Sequence, residues 1–478
     1  MSPISRRTAL LLGGLGLAAT ATGATGILMT LSARPSPTTG DALTQPPLFQ
    51  SSAGRLDVRL EATQATVPLA GRPASCFSYN GAVPGPTLRV RPGDSLAISL
   101  VNKLREPTNL HLHGLHVSPQ GNGDNAFISV EPGSTFRYEH RIPEDHPPGV
   151  YWYHPHHHGN AADQLFAGLF GAIIVEDPVP LEVSRERVLV VSDTTLDASW
   201  NIRPPSAVER MAGREGRLLL VNGQLNPGFD ARPGERERWR VINACVSRYI
   251  RLSLEGQPWQ LLGIDSGAPD PADDATEVLL APGNRADLAV TAVPGESILL
   301  ARPYERSRMG PGSPDGSIPA AGTTLATLRV AGVAGPALKP LGGRPEPADL
   351  RSLPVDARRH LAFGGGGMMG MMDFTINGRR FDATRTDTTA AAGSVEEWTL
   401  SNASPMDHPF HLHVWPMQLV EEGGLVPDAV LYREVVNVPA GGQVRVRVAF
   451  TDFTGKSVYH CHILDHEDLG MMGVIDVS

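Results

Sequence analysis

Cysteine is scarce in this chain, and so is basic charge. Three cysteines occur in 478 residues, Cys76, Cys245 and Cys461, and no two form a C-x-x-C pair. That excludes a thiolate zinc site of the ribbon type and a disulfide-stapled fold. Cys76 and Cys245 read as buried free thiols, with a bridge in an oxidising compartment as the other reading. Cys461 stands between two histidines and reads differently. Lysine and arginine number 41 against 50 acidic residues, a formal net charge of −9. This argues against a nucleic-acid partner, because phosphate binding needs a basic face. After Leu31 no apolar run is long enough to cross a membrane. What abounds is glycine and proline, 51 and 42 residues spread along the chain. They favour many short strands and turns over long helices.

The first residues read as a targeting segment. Ser5-Arg6-Arg7-Thr8 precedes an uncharged, Gly/Ala-rich run from Ala9 to Leu31. A twin arginine before such a run resembles the signal of proteins exported already folded. A retained membrane anchor is the other reading. Either puts the expected location outside the cytoplasm: periplasmic, at the cell surface or extracellular. The length suggests about three domains of roughly 150 residues. The expected division is 1–40 for signal and linker, then 41–180, 181–345 and 346–478.

Internal repetition supports three units. Each copy has an Asn-Gly pair, a later glycine followed by a small or acidic residue, and an alternating apolar stretch that ends in asparagine. The copies run through Asn80-Gly81 and Gly93-Asp94 to Asn102, through Asn222-Gly223 and Gly234-Glu235 to Asn243, and through Asn377-Gly378 and Gly393-Ser394 to Asn402. The alternation predicts strands of an antiparallel β-sandwich with turns at the glycines. Nine residues beyond the closing asparagine lie His111-Leu112-His113 in the first copy and His411-Leu412-His413 in the third, but Leu252-Ser253-Leu254 in the second. The outer units therefore share a metal site, and the middle one is a spacer.

Ten of the sixteen histidines form four clusters: His111/His113, His154/His156, His408/His411/His413 and His460/His462/His466. On a strand, positions i and i+2 face the same way, so each H-x-H unit offers two imidazoles to one side. Four such units supply eight, enough for three metal ions with positions open for oxygen. In His460-Cys461-His462 the thiolate faces the opposite side and addresses another metal. With His408, His466 and Met471 it completes the His, His, Cys and weak Met set of a blue-copper electron-transfer centre.

The segments "HLHGLH" at 111–116, "YWYHPHHHG" at 151–159, "HPFHLHVW" at 408–415 and "YHCHILDHEDLGMMG" at 459–473 resemble the multicopper oxidase family across nearly the whole chain after the leader. The resemblance implies an all-β protein of three cupredoxin-like Greek-key β-barrel domains, the first and third holding trinuclear ligands and the third also the type-1 copper. It implies four copper ions: type-1 on His408, Cys461, His466 and Met471; type-2 on His111 and His411; a type-3 pair on His113, His154, His156, His413, His460 and His462. It further implies proton-supplying acids at Glu467 and at Asp124, in "GNGDNAF". Met471 rather than Met472 has the family's spacing from the cysteine.

The remaining histidines, His116, His140, His146, His157, His158 and His360, read as surface residues or as supports behind the ligands. The Gly-rich stretch holding Met368, Met369, Met371 and Met372 lacks the fixed face that core methionines need, and it suggests delivery of Cu(I). Met406 matches a methionine that copper-efflux members use for substrate Cu(I). The accompanying acid of those members is Ser404 here, with Asp407 and Asp373 as possible replacements. The expected activity is one-electron oxidation of phenols, aromatic amines or Cu(I), coupled to four-electron reduction of dioxygen to water, with no protein partner implied. Two alternatives bind differently. A copper-free cupredoxin-fold scaffold of the cell envelope would hold no copper, and a copper nitrite reductase two ions per chain.

Overall fold

The computed structural model describes residues 40–267, 274–306, 317–335, 338–339, 341, 347–364 and 374–478. The twin-arginine leader, Asp373 and the methionines at 368, 369, 371 and 372 lie outside the described residues. Among those described, no helix is long and apolar enough to cross a membrane.

Among the described residues six β-sheets carry the fold, and each draws its strands from one stretch of chain. Two use strands between Leu48 and Val175, two between Arg185 and Val330, and two between Ala357 and Val477. The repeat explains this threefold plan. Its alternating stretches form strands Ser95–Asn102, Arg236–Asn243 and Val395–Asn402. Each lies inside its sheet, beside the preceding long strand and the strand that follows later. The expectation of an antiparallel sandwich needs one correction. Arg55–Leu69 and Ser95–Asn102 run parallel, as do the matching pairs in the middle and third units. Alternation reports which face is buried, and it carries nothing about the direction of the neighbouring strand.

The recurring turns serve a geometric need within the repeat. Asn80, Asn222 and Asn377 have φ of 55°, 50° and 53°, and the glycine after each is also positive. Two consecutive left-handed residues give the primed turn that suits Asn-Gly. The closing asparagines do the same work three times. Asn102 donates to the carbonyls of Glu106 and Val130 and accepts from the Leu104 amide. Asn243 donates to Arg248 and Leu280 and accepts from Cys245. Asn402 donates to Met406 and Val438 and accepts from Ser404. Each side chain thereby fixes the loop that delivers the next strand, which bears histidines in the outer units.

Those strands are His111–His113, paired with Gly149–His154, and His408–Leu412, paired with Gly455–Cys461. Their middle counterpart Ile250–Leu254 buries Leu252 and Leu254 in an apolar core with Trp239 and Trp259. Each such leucine contributes about 2 kcal/mol of burial. A histidine pair there would bury polar nitrogens without partners.

Candidate metal centre

Strand register places the rings. His111 lies directly opposite His154, and His411 directly opposite His460. All eight histidines of the four H-x-H units are buried. His111 Nε2 and His411 Nε2 stand 3.4 Å apart, joining one unit of the first third to one of the last. His460 Nε2 faces His156 Nε2 at 3.0 Å and His413 Nε2 at 3.1 Å. His113, His154 and His462 form the remaining side: the rings of His113 and His462 are 4.8 Å apart, and His154 lies 5.8 Å from each.

These contacts have a consistent tautomer. His411 Nδ1 donates to the Glu434 carbonyl at 2.7 Å, His460 Nδ1 to the Cys461 carbonyl at 3.0 Å, and His154 Nδ1 to the Pro155 carbonyl at 2.8 Å. His111 Nδ1 lies 2.9 Å from the buried Asp124 carboxylate, which also accepts the Leu112 amide. With the proton on Nδ1, the Nε2 lone pairs of His111 and His411 point at one another. Burial also holds His154 and His411 well below the usual imidazole range, and His460 at about 3. Among the described residues, nitrogens of His113, His154, His413 and His462 remain without partners. Facing lone pairs on buried neutral imidazoles repel unless a cation lies between them, so this set fits copper ions.

The second group lies on the other side of strand Gly455–Cys461. Cys461 Sγ is 3.4 Å from His408 Nδ1 and 3.9 Å from His466 Nδ1. All three residues are buried, and desolvation raises the thiol and lowers His408 to about 3. A thiol and two neutral imidazoles with no carboxylate among them suit a soft cation that displaces the thiol proton. Met471 is fully buried in the same core cluster, and its carbonyl accepts the Cys461 amide. Met472 is instead the cross-strand partner of His460. Cross-strand partners share a face, so Met472 lies on the histidine side and Met471 suits the thiolate side.

The acids are better placed than surface carboxylates. Asp124 orients His111. Glu467 is fully buried, with Oε2 3.8 Å from His156 Nε2 and from His460 Nδ1, and neither oxygen has a hydrogen-bond partner among the described residues. Burial first, and the Asp468 charge second, push this carboxyl well above its ordinary range.

Cys76 and Cys245 are free and buried, as the reading of them as free thiols expects, and no bridge forms. Of the two readings given for the remaining histidines, surface or support, burial leaves the second for His140 and His146, and His140 has no partner for either nitrogen among the described residues. Asp407 does not offer a free oxygen for Cu(I). One oxygen accepts the Ala440 amide, and the other accepts from Tyr304 and Asn437. Ser404 is likewise engaged, 2.9 Å from His408 Nε2. Sequence reasoning missed the residues that cover the second group. His466 Nε2 donates to the Met211 carbonyl at 3.2 Å, from helix Ala207–Ala212 of the middle third. Arg214 reaches Asp465, next to His466, with 3.0 Å contacts. Nothing in "RMAGREG" signals a contact with a segment some 250 residues away.

Known proteins are similar to this chain in sequence and fold. Family models described as multicopper oxidase match residues 61–180 and 354–478. A multicopper oxidase of Staphylococcus haemolyticus is 28% identical over 85% of this chain and 84% of its own length. The cell division protein FtsP of Aggregatibacter aphrophilus is 28% identical over 88% and 89%. A solved structure described as a multicopper oxidase from Campylobacter jejuni, a metallo-oxidase, superposes with a TM-score of 0.80 at 30% identity, covering 92% of this chain and 95% of that one.

Proposed function

The chain belongs to the multicopper oxidase family, and from that premise we propose that this oxidoreductase withdraws single electrons from a small reductant at His408, Cys461, His466 and Met471. The electrons pass to the eight-histidine group, where dioxygen is reduced to water. The reductant is a phenol, an aromatic amine or Cu(I). Four copper ions per chain fit the donors: one on the Cys461 group, one on His111 and His411, and a pair on His113, His154, His156, His413, His460 and His462. Copper, when bound, supplies one-electron chemistry between Cu(II) and Cu(I).

The observation that carries this reading is the two-faced end of strand Gly455–Cys461. Cys461 faces His408 and His466, while its neighbour His460 faces His156 and His413. One peptide unit thus joins the two groups, which gives electrons a short covalent route. Asp124 holds His111 through Nδ1, and the unpartnered Glu467 carboxyl beside His156 and His460 is positioned to supply protons. Domains at 41–180, 181–345 and 346–478, and export by the twin-arginine leader, complete the proposal.

Metal analysis of the purified protein tests it: four coppers per chain support the oxidase, two a nitrite reductase, none a scaffold. The scaffold reading has a relative named as a cell division protein on its side, but it gives no reason for twelve clustered donor residues. Cys461→Ser should abolish the intense blue absorption and nearly all oxidase activity, because the charge-transfer band needs a copper–thiolate bond. A blue, active variant would overturn the assignment.

A further inference from the structure

The middle third supplies none of the proposed ligands, yet its backbone and one arginine press on the histidine centre. Gly283 has φ +89°, and a Cβ there would lie 2.8 Å from Cε1 and Nε2 of His462. The backbone at Gly283 therefore lies close against that ring, with no room for a side chain. The loop cannot retreat easily. The Gly283 amide donates to the carbonyl of the repeat asparagine Asn243, and Asn284 folds back to accept the Ala281 amide.

Two residues on, Arg285 is fully buried and bonds to all three thirds of the chain. Its Nε donates to the Val150 carbonyl at 3.0 Å, Nη1 meets Asp265 at 3.1 Å, and Nη2 meets Glu434 at 2.8 Å. Asp265 Oδ2 in turn accepts the amides of Glu434 and Val435. Glu434 is thus held at its amide and its carboxylate, and its carbonyl is the acceptor for His411 Nδ1. Burying an arginine between two carboxylates costs several kcal/mol in desolvation before the pairing offsets it. Apolar packing would join the units more cheaply. What the ion pairs add is a fixed position for one carbonyl, which fixes the tautomer and tilt of one ring.

We infer that Arg285, acting through Glu434, and Gly283, acting on the ring face, are positioning residues for His411 and His462, so that the middle third shapes the copper centre without binding copper. This rests on the proposed copper sites. Losing such an outer support typically weakens metal binding about 10–100-fold.

The test uses the copper-loaded protein. Gly283→Ala should lose copper from the eight-histidine group, read by metal analysis and by the near-ultraviolet band of the paired ions, while the blue band of the Cys461 site persists. Arg285→Lys keeps the charge but not the fork. It should alter the type-2 electron paramagnetic resonance signal and speed loss of that copper to a chelator at least tenfold. Gly256→Ala is the control. It lies in the same third at φ +70° with only Ser297 Oγ near, at 3.9 Å, so it carries similar backbone strain away from the histidines. Should Arg285→Lys fail to fold, the glycine pair still decides. If Gly283→Ala and Gly256→Ala both keep every copper and an unaltered spectrum, the inference is overturned. A wild-type protein without copper would instead defeat the underlying reading.

Discussion

At the scale of single residues, two side chains carry expectations that differ in kind. An axial thioether donates weakly and stabilises Cu(II), so its removal should raise the reduction potential of the Cys461 copper. Met471→Leu should show the higher potential with the blue band retained. Met472→Leu should leave the potential alone, because Met472 shares a face with His460. The reverse result in redox titration would move the axial role to Met472. His140 concerns stability instead. Burial lowers it from 6.5 to about 4, against a smaller raising effect from Asp124. The unfolded chain therefore takes up a proton first as pH falls. Stability is complete above about pH 6.5 and drains away toward pH 4, by on the order of 2 kcal/mol at pH 5. His140→Phe removes both unpartnered nitrogens, so its urea midpoint should fall less between pH 7.5 and pH 5 than the parent's. An equal fall in both proteins would refute this.

At the scale of elements, helix Ala207–Ala212 governs access to His466, whose ring is fully buried beneath the Met211 carbonyl. The helix is only six residues long, and a capping box between Ser206 and Glu209 holds its start. Ser206→Ala should cost the helix about 1 kcal/mol and loosen the cover. Turnover of bulky phenols should then rise, with the blue band unchanged and a small inorganic reductant scarcely affected. Steady-state rates across phenols of increasing size would check this, and a uniform change at all sizes would sink it. This cover also marks where sequence reading stops. The repeat and the H-x-H units were legible because identical local geometry demands identical spacing: three Asn-Gly turns, three closing asparagines, and strands that put i and i+2 on one face. Strand direction was not legible, nor was the burial of Asp407 beneath Tyr304. Arg285 was hidden as well, since its partners Val150 and Glu434 lie about 135 and 149 residues away in the chain. Such contacts depend on how units pack, and no local pattern records that.

At the scale of the whole molecule, four of the eight clustered histidines come from the first third and four from the last, so bound copper ties together segments that share no sheet. Without it, Nε2 atoms of buried imidazoles face one another across that junction, at 3.0 Å between His156 and His460 and 3.4 Å between His111 and His411. Copper should therefore stabilise the native state by mass action, by roughly 4 kcal/mol for a site a thousandfold above its dissociation constant. For units of this size a midpoint moves about 2–4 °C per kcal/mol, so chelation should lower it by about 10 °C. The loss should be uneven. The first and third units share the tie, whereas the middle unit has leucines where they have histidines and keeps its own core. Scanning calorimetry should show one broad transition in the loaded protein resolve into at least two after copper removal, the upper one belonging to the middle unit. Limited proteolysis between the two transitions should then release a fragment spanning the strands from Arg185 to Val330. Readdition of copper should merge the transitions again. An unshifted single transition in the stripped protein would mean that the packing at the junction, including the Arg285 ion pairs, holds the units together without the metal.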